Sequence, residues 1–220
     1  MNNIEHIIFD LDGTLIDSAD SLVNCFERVL KLNSIQPIVS IDKNIIGPPL
    51  LETLTNITGS KDVELLKKLS HDFKLSYDNI GYKATTIYPG ITNILNFLFK
   101  SHTDLYIVTN KRIEPTRKII NYLSWNHYFK GIYSLDAFNP SFKSKDEVLR
   151  KVINIHAIPI DKAIYVGDRS EDEKAASDCG LNFLGVNWGC GNWDSSKNTN
   201  IITKQKDLQK LISPPKKGFK

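Results

Sequence analysis

Short apolar runs alternate with helix-period stripes along most of this chain. The runs are followed at once by Asp, Thr, Gly or Asn, which is typical of buried strands that end in turns. They lie at residues 7–9, 105–108, 132–135, 163–166 and 182–186. In the segments that follow them, apolar residues recur every three or four positions, which predicts helices that pack by one face. This alternation predicts an α/β fold, in which a parallel sheet carries helices on both faces.

One long stretch, residues 16–85, departs from the alternation. It carries helical apolar stripes, such as Leu22 with Phe26 and Leu69 with Phe73, and no run that predicts a strand. The stretch therefore predicts an all-helical insertion directly after the first strand.

The predicted domain organisation follows from this change of pattern. We expect an α/β core domain made of residues 1–15 and 86–212, interrupted by a helical domain of residues 16–85. Residues 213–220 form a short basic tail that begins with prolines. Its few lysines are the only basic cluster in the sequence, which is too little to indicate nucleic-acid binding.

Two helix starts carry capping signals. Ser144 is followed three residues later by Glu147, and Ser170 by Glu173. A serine and a glutamate at this spacing are typical of a capping box, in which each side chain accepts a hydrogen bond from the other residue's amide. We expect both pairs to begin helices of the core.

Composition excludes several classes of protein. The formal net charge is only +3 at pH 7, and no apolar run approaches the length of a membrane span. With six residues ahead of the first apolar run, we expect no signal peptide and a cytoplasmic location. The three cysteines, Cys25, Cys179 and Cys190, are odd in number and lack metal-ligand spacing, which fits a reducing compartment.

The candidate chemistry begins where the first strand ends. Asp10 and Asp12 stand one residue apart, directly before Gly13. Two carboxylates this close are costly to hold together unless a cation or a proton compensates them. Their position therefore indicates a site that handles charge.

Polar residues also follow the other predicted strands. Thr109 and Asn110 come after residues 105–108, and Asp168, with Asp172 four residues later, comes after residues 163–166. Lys145 stands at a predicted helix start. In an open parallel sheet, ligands bind beyond the carboxyl ends of the strands, so we expect these side chains to meet.

Phosphoryl transfer needs residues of these types. It requires a nucleophile, charge neutralisation and a proton for the leaving group. Asp10 is the candidate nucleophile through an aspartyl-phosphate, and Asp12 the candidate acid and base. An oxygen-rich site suits Mg²⁺, held by Asp10, Asp168 and the backbone carbonyl of Asp12. Thr109 and Lys145 are expected to contact the transferring oxygens.

Further substrate contacts are expected around these groups. The amides of Leu11 to Thr14, with Gly13 between them, can form a nest for the same anion. Asn110, next to Thr109, is a further candidate for substrate binding.

The string DLDGTLIDS at residues 10–18 resembles the first motif of the haloacid dehalogenase-like hydrolases, whose phosphatases use an aspartate nucleophile. Thr109-Asn110 is similar to the second motif of that family, Lys145 to the third, and Gly167-Asp168 with Asp172 to the fourth. The resemblance implies a Rossmann-like core. It also implies that Asp168 binds the metal and that Asp172 orients water bound to it.

The third motif leaves one alternative open. Lys143 stands two residues before Lys145 and could contact phosphate instead. Lys145 is preferred because amides at a helix start would reinforce anion binding beside it.

The helical insertion resembles the C1 cap of the family, which closes over the site and selects the substrate. Residues 47–50, Gly-Pro-Pro-Leu, resemble the specificity loop of phosphoglycolate-phosphatase-like and pyrophosphatase-like members. Residues 185–189 resemble the last core strand of the phosphoglycolate-phosphatase-like group. The resemblance therefore implies a small phosphorylated metabolite as substrate, with phosphoglycolate as the first expectation.

The same residues can be compared with those that are typical of other activities in the family. Dehalogenases usually lack the second aspartate, so Asp12 argues against them. β-Phosphoglucomutases keep it but typically carry an arginine shortly after the cap glycine, where this chain has Pro48-Pro49. A mutase or a pyrophosphatase on the same core, and a catalytically silent protein that binds a phosphorylated ligand, stay open as alternatives.

Overall fold

A computed structural model describes residues 4–46, 48–191, 193 and 201–212. The chain divides into two compact units. The core unit comprises Met1–Asp17 and Ile87–Lys220, and the helical unit comprises Ser18–Thr86. Gly47, part of the loop predicted to set specificity, and the predicted tail at residues 213–220 lie outside the described residues.

Eight strands form two sheets in the described part of the chain. They are β1 (His6–Phe9), β2 (Ile16–Asp17), β3 (Thr86–Ile87), β4 (Asp104–Thr109), β5 (Phe129–Ser134), β6 (Ala163–Gly167), β7 (Asn182–Val186) and β8 (Ile201–Ile202). The larger sheet has the order β5-β4-β1-β6-β7-β8, and every pairing within it is parallel. β2 and β3 form a separate two-stranded sheet.

The helices follow the strands along the chain. They are α1 (Ala19–Leu32), α2 (Leu50–Thr58), α3 (Val63–Asn79), α4 (Ile91–Lys100), α5 (Ile113–Tyr122), α6 (Lys145–Ile155), α7 (Ser170–Asp178) and α8 (Gln205–Ile212). Short 3₁₀ helices occupy Lys43–Ile45, Gly81–Ala84, Leu135–Ala137 and Ile160–Lys162.

Both faces of the large sheet are buried. Successive residues of a strand point to opposite faces, and Ile7, Ile8 and Phe9 of β1 are all fully buried. Ile8 belongs to a cluster with Val148 of α6 and Ala176 of α7, which cover its face of the sheet. The predicted α/β fold, a parallel sheet flanked by helices, is confirmed.

The helical unit has a hydrophobic core of its own. Phe26 of α1 and Phe73 of α3 pack with their ring centroids 4.4 Å apart, beside Leu54 and Ile57 of α2. α3 begins where the Asp62 side chain accepts hydrogen bonds from the amides of the first turn, which satisfies donors that a helix start leaves unpaired.

Several local expectations were wrong. β2 lies in the stretch for which no strand was predicted, because two residues are too few to make an apolar run. β8 was missed at the sheet edge for the same reason. β2 and β8 each form a strand because they pair with another segment. Such pairing depends on distant residues, so the local sequence does not predict it.

The two predicted capping boxes also differ from the observed helix starts. At α6, the Ser144 side chain makes no capping bond, and Glu147 accepts from the amide of Lys143 at 2.8 Å. At α7, Ser170 is the first helical residue, and Asp172 accepts from the amide of Arg169 at 3.1 Å. In each case the acidic side chain accepts from the amide of the residue before the serine, and not from the amide of the serine itself.

The order of strands determines where the site lies. β1 is central and pairs with β4 on one side and with β6 on the other, with Phe9 opposite both Ile107 and Val166. The carboxyl ends of these three strands therefore meet at one edge of the sheet. β4 and β5 are added on one side of β1, and β6, β7 and β8 on the other. The order of strands therefore reverses at β1, and α/β proteins bind ligands at such a switch point.

Candidate active site

Asp10 is held rigidly at the end of β1. Its amide donates a hydrogen bond of 2.8 Å to the carbonyl of Val166, which extends the β1–β6 pairing one residue beyond the strand. Its side chain is almost completely buried. Asp12, two residues further, keeps 31% of its side chain exposed.

Gly13 turns the chain sharply after the two aspartates. Its φ is +81°, a conformation that costs little only for glycine. The Gly13 amide donates to the carbonyl of Ile16 at 2.8 Å, and the Thr14 amide donates to that of Leu11 at 3.3 Å. Two of the four amides of the predicted anion nest, those of Gly13 and Thr14, are therefore engaged within the turn itself.

Lys145, the first residue of α6, joins two carboxylates. Its Nζ lies 2.9 Å from Asp10 Oδ1 and 2.5 Å from Asp172 Oδ1, and only 9% of its side chain is exposed. Lys143 is exposed. Of the two candidate lysines, the structure therefore brings Lys145 to the predicted nucleophile.

The end of β6 supplies two more buried carboxylates. Asp168 is completely buried, and its Oδ2 accepts from the Cys190 amide at 2.9 Å. Its Oδ1 is also buried and has no hydrogen-bond partner. Asp10, Asp168 and Asp172 each place one carboxylate oxygen within 4.8 Å of the others. This acidic trio contains Asp172, which was expected to lie behind the metal ligands.

The end of β4 places Thr109 beside this group of residues. Thr109 is buried, and its Oγ1 accepts from the Lys111 amide at 3.2 Å. Asn110, the other candidate from this strand end, is exposed.

Burial and charge shift the pKa values of the site strongly. Burial raises the pKa of Asp10 to about 7, with Asp172 and Asp168 acting in the same direction and Lys145 opposing them. Burial, with Asp172 beside it, raises the pKa of Asp168 to about 6. Burial alone would lower the pKa of Lys145, but the carboxylates of Asp10 and Asp172 outweigh it and raise that pKa.

Crowding of like charges adds to the effect of burial in these shifts. The acidic trio brings three carboxylates around a single ammonium, that of Lys145. Like charges in a buried site disfavour the ionised form unless a cation compensates them. The site is therefore built to accept further positive charge.

Sequence reasoning missed two features of the site. Lys111 Nζ lies 3.0 Å from Asp12 Oδ1 and is nearly buried; its position directly after Thr109-Asn110 was the available signal. The loop after β7 was also missed: the Cys190 amide reaches Asp168, and Trp188 Nε1 donates to the Thr14 carbonyl at 3.1 Å. This loop holds both the turn after β1 and the end of β6.

A parallel α/β sheet with aspartates and lysines at its carboxyl edge defines a Rossmann-like protein whose polar site lies at the strand ends. The chain belongs to the haloacid dehalogenase-like hydrolase family, whose sequence profile matches residues 7–186. The predicted family and the predicted hydrolytic enzyme class are confirmed.

Individual relatives carry different names. A 5'-nucleotidase from Pseudomonas aeruginosa is 26% identical over 190 residues, 86% of this chain and 85% of the relative. A phosphoglycolate phosphatase from Pseudomonas fluorescens is 27% identical, with 94% of this chain and 78% of the relative covered. The solved structure of protein tyrosine kinase A from Mycobacterium tuberculosis superposes with a TM-score of 0.79 at 26% identity, covering 97% and 100% of the two chains.

None of the described helices is both long enough and apolar enough to cross a bilayer.

Proposed function

We propose that this protein is a Mg²⁺-dependent phosphatase that hydrolyses a small phosphomonoester through an aspartyl-phosphate on Asp10. The observation that carries the proposal is the environment of Asp10. It stands at the end of the central strand, is bonded to Lys145 at 2.9 Å, and lies in a trio of carboxylates with Asp168 and Asp172. We place the enzyme in the cytoplasm.

The residues of the acidic trio fit a magnesium ion. Asp168 Oδ1 is buried without a hydrogen-bond partner, and such an orphaned oxygen is costly unless something binds it. Asp10, Asp168 and the backbone carbonyl of Asp12 would hold the ion, with Asp172 close by. An all-oxygen donor set suits a hard cation such as Mg²⁺. When bound, it would neutralise negative charge on the phosphoryl group and the carboxylates.

Asp10 and Asp12 have different roles in the two steps of the reaction. In the first step, a carboxylate oxygen of Asp10 attacks phosphorus as the bond to the leaving oxygen breaks. Asp12, protonated, gives its proton to that oxygen, and an alcohol departs. In the second step, a water attacks the same phosphorus and loses a proton to the Asp12 carboxylate. The bond to Asp10 breaks, and inorganic phosphate is released.

Lys145 and Thr109 support both steps from fixed positions. The Lys145 ammonium keeps Asp10 in place and brings positive charge to the transferring oxygens. Thr109 offers a hydroxyl at the end of the neighbouring strand. Positioned charges of this kind supply most of the catalysis in phosphoryl transfer.

The substrate is proposed from the relatives and from the second aspartate. The names of the 5'-nucleotidase and the phosphoglycolate phosphatase both describe hydrolysis of phosphomonoesters, and Asp12 supplies the proton that such leaving groups need. Phosphoglycolate or a similar small ester is the first candidate. A mutase would instead transfer the phosphoryl group to a sugar, and a pyrophosphatase would prefer pyrophosphate. A silent binding protein would show no turnover.

The test is a hydrolysis assay of the purified full chain. Phosphate release is measured from p-nitrophenyl phosphate, phosphoglycolate, nucleoside monophosphates, sugar phosphates and pyrophosphate, with excess Mg²⁺ or with EDTA. We expect release that requires Mg²⁺ and is abolished by Asp10→Asn. The matched control is Asp161→Asn, an exposed aspartate on the same unit, which should leave the rate unchanged. Turnover that persists in Asp10→Asn would overturn the proposal.

A further inference from the structure

A second nearly buried lysine lies at the site, and it pairs with Asp12. Lys111 Nζ is 3.0 Å from Asp12 Oδ1, with 9% of the lysine side chain and 31% of the aspartate side chain exposed. The two residues are separated by 99 positions in the chain. Burying an ammonium this far is costly, so a lysine is retained in such a place only with a charged partner.

The backbone brings this pair together from two neighbouring strands. Asp12 follows β1, Lys111 follows β4, and the two strands pair in parallel with Phe9 opposite Ile107. The loop after β4 is tightened by the Lys111 amide, which donates to Thr109 Oγ1 at 3.2 Å. Lys111 therefore approaches Asp12 from an anchored loop.

The two lysines of the site bind different carboxylates. Lys145 Nζ is bonded to Asp10 and to Asp172. Lys111 Nζ is bonded to Asp12. The predicted nucleophile and the predicted acid thus each have their own ammonium, supplied by a different element.

We propose that Lys111 is a positioning residue for Asp12 and that it aims the carboxyl group at the leaving oxygen. The inference rests on the proposed function, in which Asp12 gives and takes the proton. When Asp12 is protonated, the oxygen without the proton still accepts from Nζ, so the bond restrains the rotation of the carboxyl group. A donor held in a fixed orientation transfers its proton more often in the productive geometry.

This role predicts a defect that depends on the leaving group. In the first step the proton of Asp12 goes to the leaving oxygen as its bond to phosphorus breaks. An alkoxide needs that proton, whereas p-nitrophenolate departs without it. A displaced Asp12 therefore slows alkyl phosphates more than p-nitrophenyl phosphate.

The first experiment compares kcat/KM for the two kinds of ester in Lys111→Met, because kcat/KM reports the step in which the leaving group departs. We expect a loss of roughly 10- to 100-fold with an alkyl phosphate, part of the general-acid contribution, and a much smaller loss with p-nitrophenyl phosphate. Lys111→Arg should recover most of the rate. Lys118→Met, which removes a partly exposed lysine from an ion pair with Glu114 on the following helix, is the matched control.

A double-mutant cycle separates positioning from direct contact with substrate. In the Asp12→Asn background, Lys111→Met should cost nothing further, because the group that it positions is already gone. Equal losses in both backgrounds, or equal losses with both esters, would overturn the inference and assign Lys111 to substrate binding or to the fold.

A measurement without substrate tests the ion pair itself. Unfolding in urea of the two single variants and the double variant should show coupling between Lys111 and Asp12, and its absence would overturn the inference. A wild-type chain that hydrolyses no phosphate ester would contradict the proposed function and this inference together. An active wild type with an unaffected Lys111→Met variant would contradict this inference alone.

Discussion

Gly13 and the carboxylate of Asp168 are in such close contact that no side chain fits between them. A Cβ atom placed on Gly13 would overlap with all three terminal atoms of the Asp168 side chain. The turn after β1 and the end of β6 are therefore built against each other, and Gly13 is needed for the shape of the site as well as for the turn.

The contact predicts a specific defect in Gly13→Ala. The matched control is Gly90→Ala, because Gly90 has the same φ of +81° but its added Cβ would meet nothing nearer than Gln205 at 3.9 Å. The backbone strain should cost each variant ~1–2 kcal/mol in the free energy of unfolding. Only Gly13→Ala should also lose Mg²⁺-dependent hydrolysis, since it displaces Asp168. Similar activity in the two variants would show that the contact has no role in the site.

Replacing Lys145 should damage both folding and activity. Lys145→Met leaves Asp10 and Asp172 without the ammonium that both contact. Breaking a buried ion pair in this way typically costs about 3–5 kcal/mol, to be measured by urea unfolding in EDTA at pH 8.

Lys143→Met is the comparison, because Lys143 is exposed. Its stability should change by no more than about 0.5 kcal/mol. Full activity in a Lys145 variant, with loss in the Lys143 variant, would transfer the predicted phosphate contact to Lys143.

The metal-free protein should lose stability as the pH rises. The pKa of Asp10 is raised from 3.8 to about 7 and that of Asp168 from 3.8 to about 6. Between the usual and the raised values, the folded state binds more protons than the unfolded state. The stabilisation from these groups is therefore present at low pH and is lost as the pH rises through about 6 to 7.

Urea unfolding in EDTA at a series of pH values measures this effect. Asp10→Asn should have a smaller slope of free energy against pH, because it removes the more strongly shifted group. A slope identical to that of the wild type would show that Asp10 does not contribute.

The three thiols should differ in reactivity. Cys25 and Cys179 are buried and Cys190 is exposed, and burial raises the pKa of Cys25 to about 11. Because the thiolate is the reactive form, one thiol should react rapidly with a disulfide reagent at pH 8, and the others only after denaturation. Cys190→Ser should remove the rapid phase, and rapid reaction of that variant would contradict the burial of the other two.

The residues that end each strand could be predicted because the signal is local. An apolar run followed by Asp10, Thr109 or Asp168 is visible in a few consecutive letters, and the rule that parallel strands end at one edge brings them together. The position of Lys145 at a helix start was visible in the same way. The fold class and much of the arrangement of the site follow from such patterns.

The contacts that could not be predicted join distant segments. The sequence places Lys111 and Asp172 after strand ends, but it does not indicate that Lys111 bonds to Asp12 or that Asp172 bonds to Lys145. These pairings depend on the register of β1 against β4 and on the position of α6 beside α7. Side-chain reach across neighbouring elements is set by tertiary packing, which the periodicity of one segment does not encode.

The central place of β1 has a consequence for biosynthesis. Among the described strands β1 is synthesised first, whereas its two neighbours, β4 and β6, begin only at Asp104 and Ala163. The bond between Asp10 and Lys145 alone spans 135 positions. A nascent chain therefore carries Asp10 at the end of an apolar strand whose neighbours have not yet been made, and pairings of such long range form slowly. During that time the early helices, which pack among themselves, are the part of the protein that can fold first.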